Sequence, residues 1–270
     1  MSDDVSRDLG KRICLQKDVP YQPLLFGLDK GRAKSRIHSI YCNEEEAAYK
    51  LKEGEVDLGI ISSLAYAQKK ESWRIIPGIA LSFLVGSNAM LLFFRKGLKE
   101  INRVAINASA ITANVLLKII LQEKFKLSPE YISIDAPVDE MLTEADAALL
   151  TGSQAMRERR PNRLDLCEEW YDLTGHPFVY AFWAGLEIGV TAGDVALIKQ
   201  SHHLGMKNLE NISKKFAQKN KESWAYYHDI FTRYIRFEFN DREKQALQEF
   251  YNYAFYYGFS EFIPDLLFYD

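Results

Sequence analysis

The feature that most limits how this chain can fold is a change of hydrophobic period that recurs along it. Apolar runs of four to six residues alternate with segments whose apolar positions return every three or four residues. Residues 12–15, 37–41 and 56–61 are runs of the first kind, and 44–52 between them carries charges around Ala47, Ala48, Tyr49 and Leu51. Asn43 followed by Glu45 and Glu46 marks a helix start, since acids in a first turn complement the helix dipole. The same grammar returns over 90–94, 103–106, 147–150 and 178–183, while 111–123 sets Ile111, Val115 and Ile119 on a helical face beside Leu116 and Ile120. An acidic segment, 164–174, ends in the turn Thr174-Gly175-His176-Pro177. Strands separated by helices favour parallel sheets joined by crossovers, an α/β class. Beyond Thr191 the chain reads as mostly helical, with Trp224, Tyr227, Ile230, Phe231, Tyr234 and Ile235 at helical intervals. Asn240 with Glu243 makes a capping pair ahead of Leu247 and Phe250, and Gly258 ends that helix.

Composition narrows the functions. A chain of 270 residues suffices for one large domain or two lobes. With 34 Lys and Arg against 37 Asp and Glu, a net charge of −3 gives no global pull toward nucleic acid or an anionic membrane. No run reaches the roughly 18 apolar residues of a membrane span. The best, 76–94, is broken by Pro77, Gly78, Gly86, Ser87 and Asn88, and the first ten residues are acidic and polar. A cytoplasmic protein without a membrane span is the expectation. Cys14, Cys42 and Cys167 are widely spaced and form no CxxC pair, as in reduced, inert thiols.

The common chemical signatures are missing. There is no GxGxxG and no P-loop, and Gly27-Leu28-Asp29-Lys30-Gly31 reads as a plain loop. His38, His176, His202, His203 and His228 form no HExxH pair, so neither a metal nor a cofactor is expected. Gly152-Ser153-Gln154 lacks the second glycine of a nucleophile elbow, and 157–160 is a short basic run typical of a solvated helix end. What remains is a set of small polar residues where strands give way to helices: Ser62-Ser63, Gly86-Ser87-Asn88, 109–112 ending in Thr112, and Thr151-Gly152-Ser153. Ligands of open α/β sheets gather beyond the carboxyl ends of strands, and helix N-termini suit carboxylates. Each of these residues taken singly is also an ordinary helix cap. Their recurrence at four strand ends favours a small carboxylate as ligand.

Longer motifs point further. Residues 165–184 read Asp-Leu-Cys-Glu-Glu-Trp-Tyr-Asp-Leu-Thr-Gly-His-Pro-Phe-Val-Tyr-Ala-Phe-Trp-Ala, and 54–63 read Gly-Glu-Val-Asp-Leu-Gly-Ile-Ile-Ser-Ser. With 86–94, 107–121 and the tail 259–268, these runs resemble the chorismate dehydratase family of the futalosine route to menaquinone. The family's pattern has an acidic Asp-Leu-Gly-Glu-Glu-Trp, a Leu-Thr-Gly-x-Pro-Phe-Val turn and an aromatic strand ending Trp-Ala. The resemblance implies a two-lobed type II periplasmic-binding-protein-like fold, with mixed sheets flanked by helices and a helical C-terminal tail. Lobe one would hold 1–87 and 182–270, lobe two 88–181, with the ligand cleft between them.

The resemblance also implies a cofactor-free lyase that converts chorismate to 3-[(1-carboxyvinyl)oxy]benzoate. The substrate's own side-chain carboxylate would take the proton, while the protein holds two carboxylates and the departing hydroxyl. Ser87 and Thr112 fall on family positions that would contact carboxylates, with Ser62, Ser63, Asn88 and Ser153 nearby. Two positions depart from the pattern. Anchoring on Arg12 and on Pro23-Leu24 puts Pro20 at a cleft Asn of the family, and Ser153 stands at a family Asp. Proline donates no hydrogen bond, so Gln22 would have to restore the amide, and His176 would add a donor inside its turn. Ser87 and Gln22 are therefore the expected catalytic residues, with Ser62, Ser63, Asn88, Thr112, Ser153 and His176 binding substrate. The alternative is a non-catalytic or repurposed cytoplasmic binding protein for a small carboxylate on the same fold. The dihydroxynaphthoate synthase of that pathway, a sibling on the same fold, would call for a histidine in the first-strand loop, which has none.

Overall fold

The computed structural model describes residues 10–28, 36–69, 72–220 and 222–270. Residues 1–9, and Asp29 to Gly31 of the loop considered above, lie outside them. In chain order the strands are β1 (Lys11–Leu15), β2 (Ile37–Tyr41), β3 (Leu58–Ser62), β4 (Trp73–Phe83), β5 (Met90–Phe94), β6 (Arg103–Ile106), β7 (Glu130–Ser133), β8 (Ala147–Thr151), β9 (Arg163–Asp165), β10 (Phe178–Leu186) and β11 (Ile235–Phe239). They form two mixed sheets, ordered β11-β4-β10-β3-β1-β2 and β7-β6-β8-β5-β9. In the first, β1 runs parallel to β2 and β3, and β10 is antiparallel to both β3 and β4. In the second, β6 runs parallel to β7 and β8, and β5 is antiparallel to β8 and β9. The chain thus enters the five-stranded sheet at Met90 and leaves it after Asp165, and β10 returns to the six-stranded sheet as one piece from Phe178 onward.

Local rules account for most of the elements. Asn43 and Glu46 close a reciprocal capping box on the helix Glu44–Lys52, and Asn240 and Glu243 do the same for Asp241–Tyr256. The helix Leu166–Thr174 stops at Gly175, whose φ of 73° is the left-handed conformation a C-terminal cap requires. Its Trp170 is fully buried and meets the edges of Phe178 and Phe250 at ring-centroid distances of 5.9 and 6.1 Å. That aromatic cluster fastens the acidic segment to β10 and to the C-terminal helix.

Two strands depart from the sequence reading. The 235–239 stretch continues a helical aromatic pattern on paper but forms β11, because Ile235, Phe237 and Phe239 are buried while Arg236 and Glu238 turn outward. A period of two was hidden behind the preceding period of three to four. β4 shows no alternation at all, being a central strand covered on both faces. Its Pro77 falls between Ile75 and Ala80, a stretch where β10 skips register, so no ladder hydrogen bond is lost to it there.

One packing contact sets the floor of the cleft. After β1 the chain makes a tight turn at Val19–Tyr21 and a short helix, Gln22–Leu25, which lies against the helix Ala192–Met206. Ser201 Oγ donates to the Leu24 carbonyl at 3.1 Å and accepts from the Gly27 N–H at 3.0 Å. Gly205 lets the two backbones touch: a Cβ there would lie 1.8 Å from the Pro23 carbonyl oxygen. Gly205→Ala should therefore destabilise the protein by about 2 kcal/mol or more, as overpacking against backbone does. A thermal melt reads the loss, and an unchanged melting temperature would contradict this packing.

Candidate functional site

Between the two sheets lies a cleft of about 410 Å³. The loop after β1 contributes Gln16, Lys17, Asp18, Pro20 and Tyr21, and the end of β2 contributes Tyr41 and Cys42. Glu44 and Glu46 enter from the first turn of the next helix, and Tyr180 from β10. The five-stranded side supplies Ala89, Met90, Ser109, Ala110, Thr151 and Gly152, none of them charged. Lys17 lies over the ring of Tyr41 at 4.9 Å and is, among the described residues, the one cation on a wall that also carries Asp18, Glu44 and Glu46.

Gln16 immediately follows β1, at the strand's carboxyl end. It is 3% exposed, and its Nε2 donates to the Ile60 carbonyl at 2.7 Å. Its Oε1 has no hydrogen-bond partner among the described residues. A buried acceptor left open beside a cavity is a place for a ligand donor such as a hydroxyl.

Two carboxylates cross from one sheet's side of the cleft to the other. Asp18 accepts from the Val19 N–H at 2.8 Å with one oxygen and from the Ser153 N–H at 3.0 Å with the other. Gly152, at φ 57°, permits that approach, since a Cβ there would lie 2.2 Å from Asp18 Oδ2. Glu45 accepts from Ser62 Oγ at 2.9 Å and from Thr112 Oγ1 at 3.5 Å. The helix Ile111–Glu123 begins after Ala110, which offers no side-chain cap, so Glu45 supplies from across the cleft what that N-terminus lacks. Burial raises the Glu45 pKa, opposed by the hydrogen bonds from Ser62 and Thr112.

Glu44 takes part in neither bridge. Burial, with the negative charges of Glu45 and Asp18 close by, pushes its pKa up to about 7, against a hydrogen bond from its own N–H. Cys14 and Cys42 meet at the ends of β1 and β2 as free thiols joined by a hydrogen bond. That bond holds the Cys14 pKa down and, with burial, drives the Cys42 pKa up.

Of the residues singled out in the sequence, Pro20, Ser109, Thr151 and Gly152 line this cleft, while Gln22, Ser62, Ser63, Ser87, Asn88, Thr112, Ser153 and His176 fall outside its lining. Ser62 and Thr112 converge on Glu45. The Ser63 hydroxyl is buried with no partner among the described residues. Ser87 is 1% exposed, and its Oγ accepts from the Ala89 N–H and bonds the Cys167 thiol. Asn88, at φ 52°, donates to the Gly86 carbonyl from its side chain and to Asp165 from its backbone. Gln22 Nε2 faces the carbonyls of Gln16, Lys17 and Asp18 at 3.2 to 3.4 Å, tying the cleft loop back on itself. Ser153 meets Asp18 through its backbone, and His176 sits in its turn with its N–H on Thr174 Oγ1. Gln16, Lys17, Glu44 and Glu45 escaped the sequence reading. Gln16 was findable as the first polar residue beyond a strand, whereas Glu45 looked like a dipole partner only and nothing set Glu44 apart from it. Among the described residues no group of His, Cys, Asp and Glu is placed to hold a metal ion, and no helix is long and apolar enough to cross a membrane.

With this geometry in place, comparison with known proteins is informative. A family model described as menaquinone biosynthesis matches residues 12–256, which include both sheets and every cleft-lining side chain. The chain belongs to the menaquinone biosynthesis family. One relative, the chorismate dehydratase of Thermus thermophilus, is 29% identical over 186 residues, covering 62% of this chain and 68% of its own. A solved protein of Archaeoglobus fulgidus superposes with a TM-score of 0.74 at 17% identity, covering 93% of this chain and 98% of that one. The periplasmic aliphatic sulphonate binding protein of Escherichia coli gives 0.62 at 14% identity over 96% and 94% of the two chains. At such identities the likeness is one of fold: this menaquinone biosynthesis family member has the two-lobed periplasmic-binding-protein-like architecture.

The raised Glu44 pKa has a consequence for stability. The folded state holds the Glu44 proton more tightly than the unfolded chain, so this group's contribution is fully present below pH about 4.5 and is lost as pH rises through about 7. Glu44→Gln should therefore gain on the order of 2 kcal/mol over the parent at pH 8 and nothing at pH 4. Denaturant melts at the two pH values measure the difference, and equal gains at both would contradict the placement of Glu44.

Proposed function

We propose that this member of the menaquinone biosynthesis family is a cytoplasmic, cofactor-free carbon–oxygen lyase that dehydrates chorismate to 3-[(1-carboxyvinyl)oxy]benzoate. Its active site is the cleft between a lobe of residues 1–87 and 182–270 and a lobe of 88–181. The observation that carries the reading is the family match spanning the whole cleft, joined to a relative named for this reaction.

The cleft's chemistry supports it. A cavity of about 410 Å³ suits a six-membered ring with two carboxylates. The open Gln16 Oε1 accepts the ring hydroxyl, and Lys17 attracts an anion. The N-terminus of Ile111–Glu123, whose leading residues Ser109 and Ala110 line the cleft, presents its N–H groups to a substrate carboxylate. Gln22 and Ser87 keep the loops on either side in place, and Ser63, Asn88, Ser153 and His176 flank them. Loss of water makes the ring aromatic, so orientation and proton movement suffice. The proton goes to the substrate's own enol-ether carboxylate.

A second reading, a repurposed carboxylate-binding protein, is favoured by Pro20, which lines the cleft at the position of the family Asn. Purified protein incubated with chorismate separates the two. The lyase yields an aromatic enol ether one water lighter than chorismate, followed by ultraviolet absorbance and mass spectrometry. A thermal shift with chorismate but no product at high protein concentration would leave only the binder. If product forms, Gln16→Met should lower kcat/KM by about tenfold, the worth of one hydrogen bond. An unaltered kcat/KM would remove Gln16 from the site.

A further inference from the structure

Three consecutive acids open the helix Glu44–Lys52, and two of them have structural tasks. Glu46 closes the capping box with Asn43, and Glu45 spans the seam to Ser62 and Thr112. Glu44 is left facing the cleft without either duty. The titratable groups that share the cleft with it are Asp18, Lys17 and Tyr21 from the segment after β1, Tyr41 and Cys42 from the end of β2, Tyr180 from β10, and Glu46 from its own helix. Glu45 lies behind it, and the five-stranded side adds no charge.

A partly buried acid next to two other carboxylates favours its protonated form, and a dianion entering the same cleft favours that form further by like-charge repulsion. The proton on Glu44 and the negative charge of the proposed substrate therefore support one another. Gln16 Oε1, buried and unpartnered on the same wall, is a separate sign of a ligand hydroxyl. Both residues line one cleft, where a substrate hydroxyl between them would donate its hydrogen to Gln16 and accept from Glu44.

Resting on the lyase reading above, we propose that Glu44 is the proton donor to the hydroxyl that the substrate loses. The ring C–H bond beside the enol-ether oxygen breaks, and its proton passes to the substrate's side-chain carboxylate. The electron pair of that bond becomes the new ring double bond as the adjacent C–O bond breaks. The departing oxygen takes the Glu44 proton and leaves as water, not as hydroxide. Glu44, now a carboxylate, recovers a proton through solvent from the carboxylic acid formed on the product, so nothing else is consumed. Donation to a poor leaving group is worth a hundredfold or more in rate, about the lower range for general acids.

Chorismate is the probe. Glu44→Gln should lower kcat by about a hundredfold or more while KM changes little, and Glu44→Asp should restore part of the rate. The parent's kcat/KM should fall as pH rises past about 7, with the limb in kcat displaced to higher pH by the bound dianion, and Glu44→Gln should lose both. Product from the parent, with parental kcat and pH profile in Glu44→Gln, overturns this inference and leaves the lyase reading standing. A rise in KM alone makes Glu44 a binding group and overturns it as well. No product from the parent overturns both. The glutamine variant is expected to fold at least as stably as the parent, so a lost rate is not lost structure.

Discussion

The seam between the lobes depends on a half-buried carboxylate, that of Glu45. It stands in the first turn of one lobe's helix and completes the first turn of the other lobe's Ile111–Glu123. A buried anion is tolerable only where donors surround it, and here Ser62 and Thr112 provide them. Ser62 is itself fixed twice, as the last residue of β3 and as the cap of the short helix Ser63–Ala67, where it accepts from the Ala65 N–H. The end of a strand, the start of two helices and the closure of the cleft therefore share one hydrogen-bonded group. Asp18 repeats the device a short way off, with Gly152 making room for it.

This arrangement changes what the cleft asks of a ligand. Helix starts that would otherwise suit a foreign anion are held by the protein's own carboxylates, Glu45 at Ile111–Glu123 and Asp18 at Ser153. The overall charge of −3 hides this, because the acids concerned are gathered at one seam.

Much of the fold was legible because the signals were local. The strands at 37–41, 90–94 and 103–106 and the helix at 111–123 fall where their hydrophobic period places them, and both capping boxes are written in adjacent residues. β4 and β11 were not legible, since their character comes from neighbours in the sheet far away in sequence. The site was legible by position only. Of the strand-end hydroxyls, those of Ser62 and Thr112 meet, and they do so on Glu45, which lies 17 residues from Ser62 and 67 from Thr112. Nothing in a local window announces such a pairing. Gln16 could have been found by the strand-end rule, and Glu44 only by knowing which of three acids was spare.

The contact between Pro23 and Gly205 bears on how the molecule comes to exist. The loop that floors the cleft is synthesised well before its support, a helix whose Ser201 lies 177 residues beyond Leu24 and bonds both Leu24 and Gly27. During synthesis the binding loop must stay unanchored while the whole five-stranded lobe is made. Closure of such a long loop is slow and comes late in folding. A nascent chain therefore gains its second lobe before it gains a working cleft, and ligand can guide assembly only in its last steps.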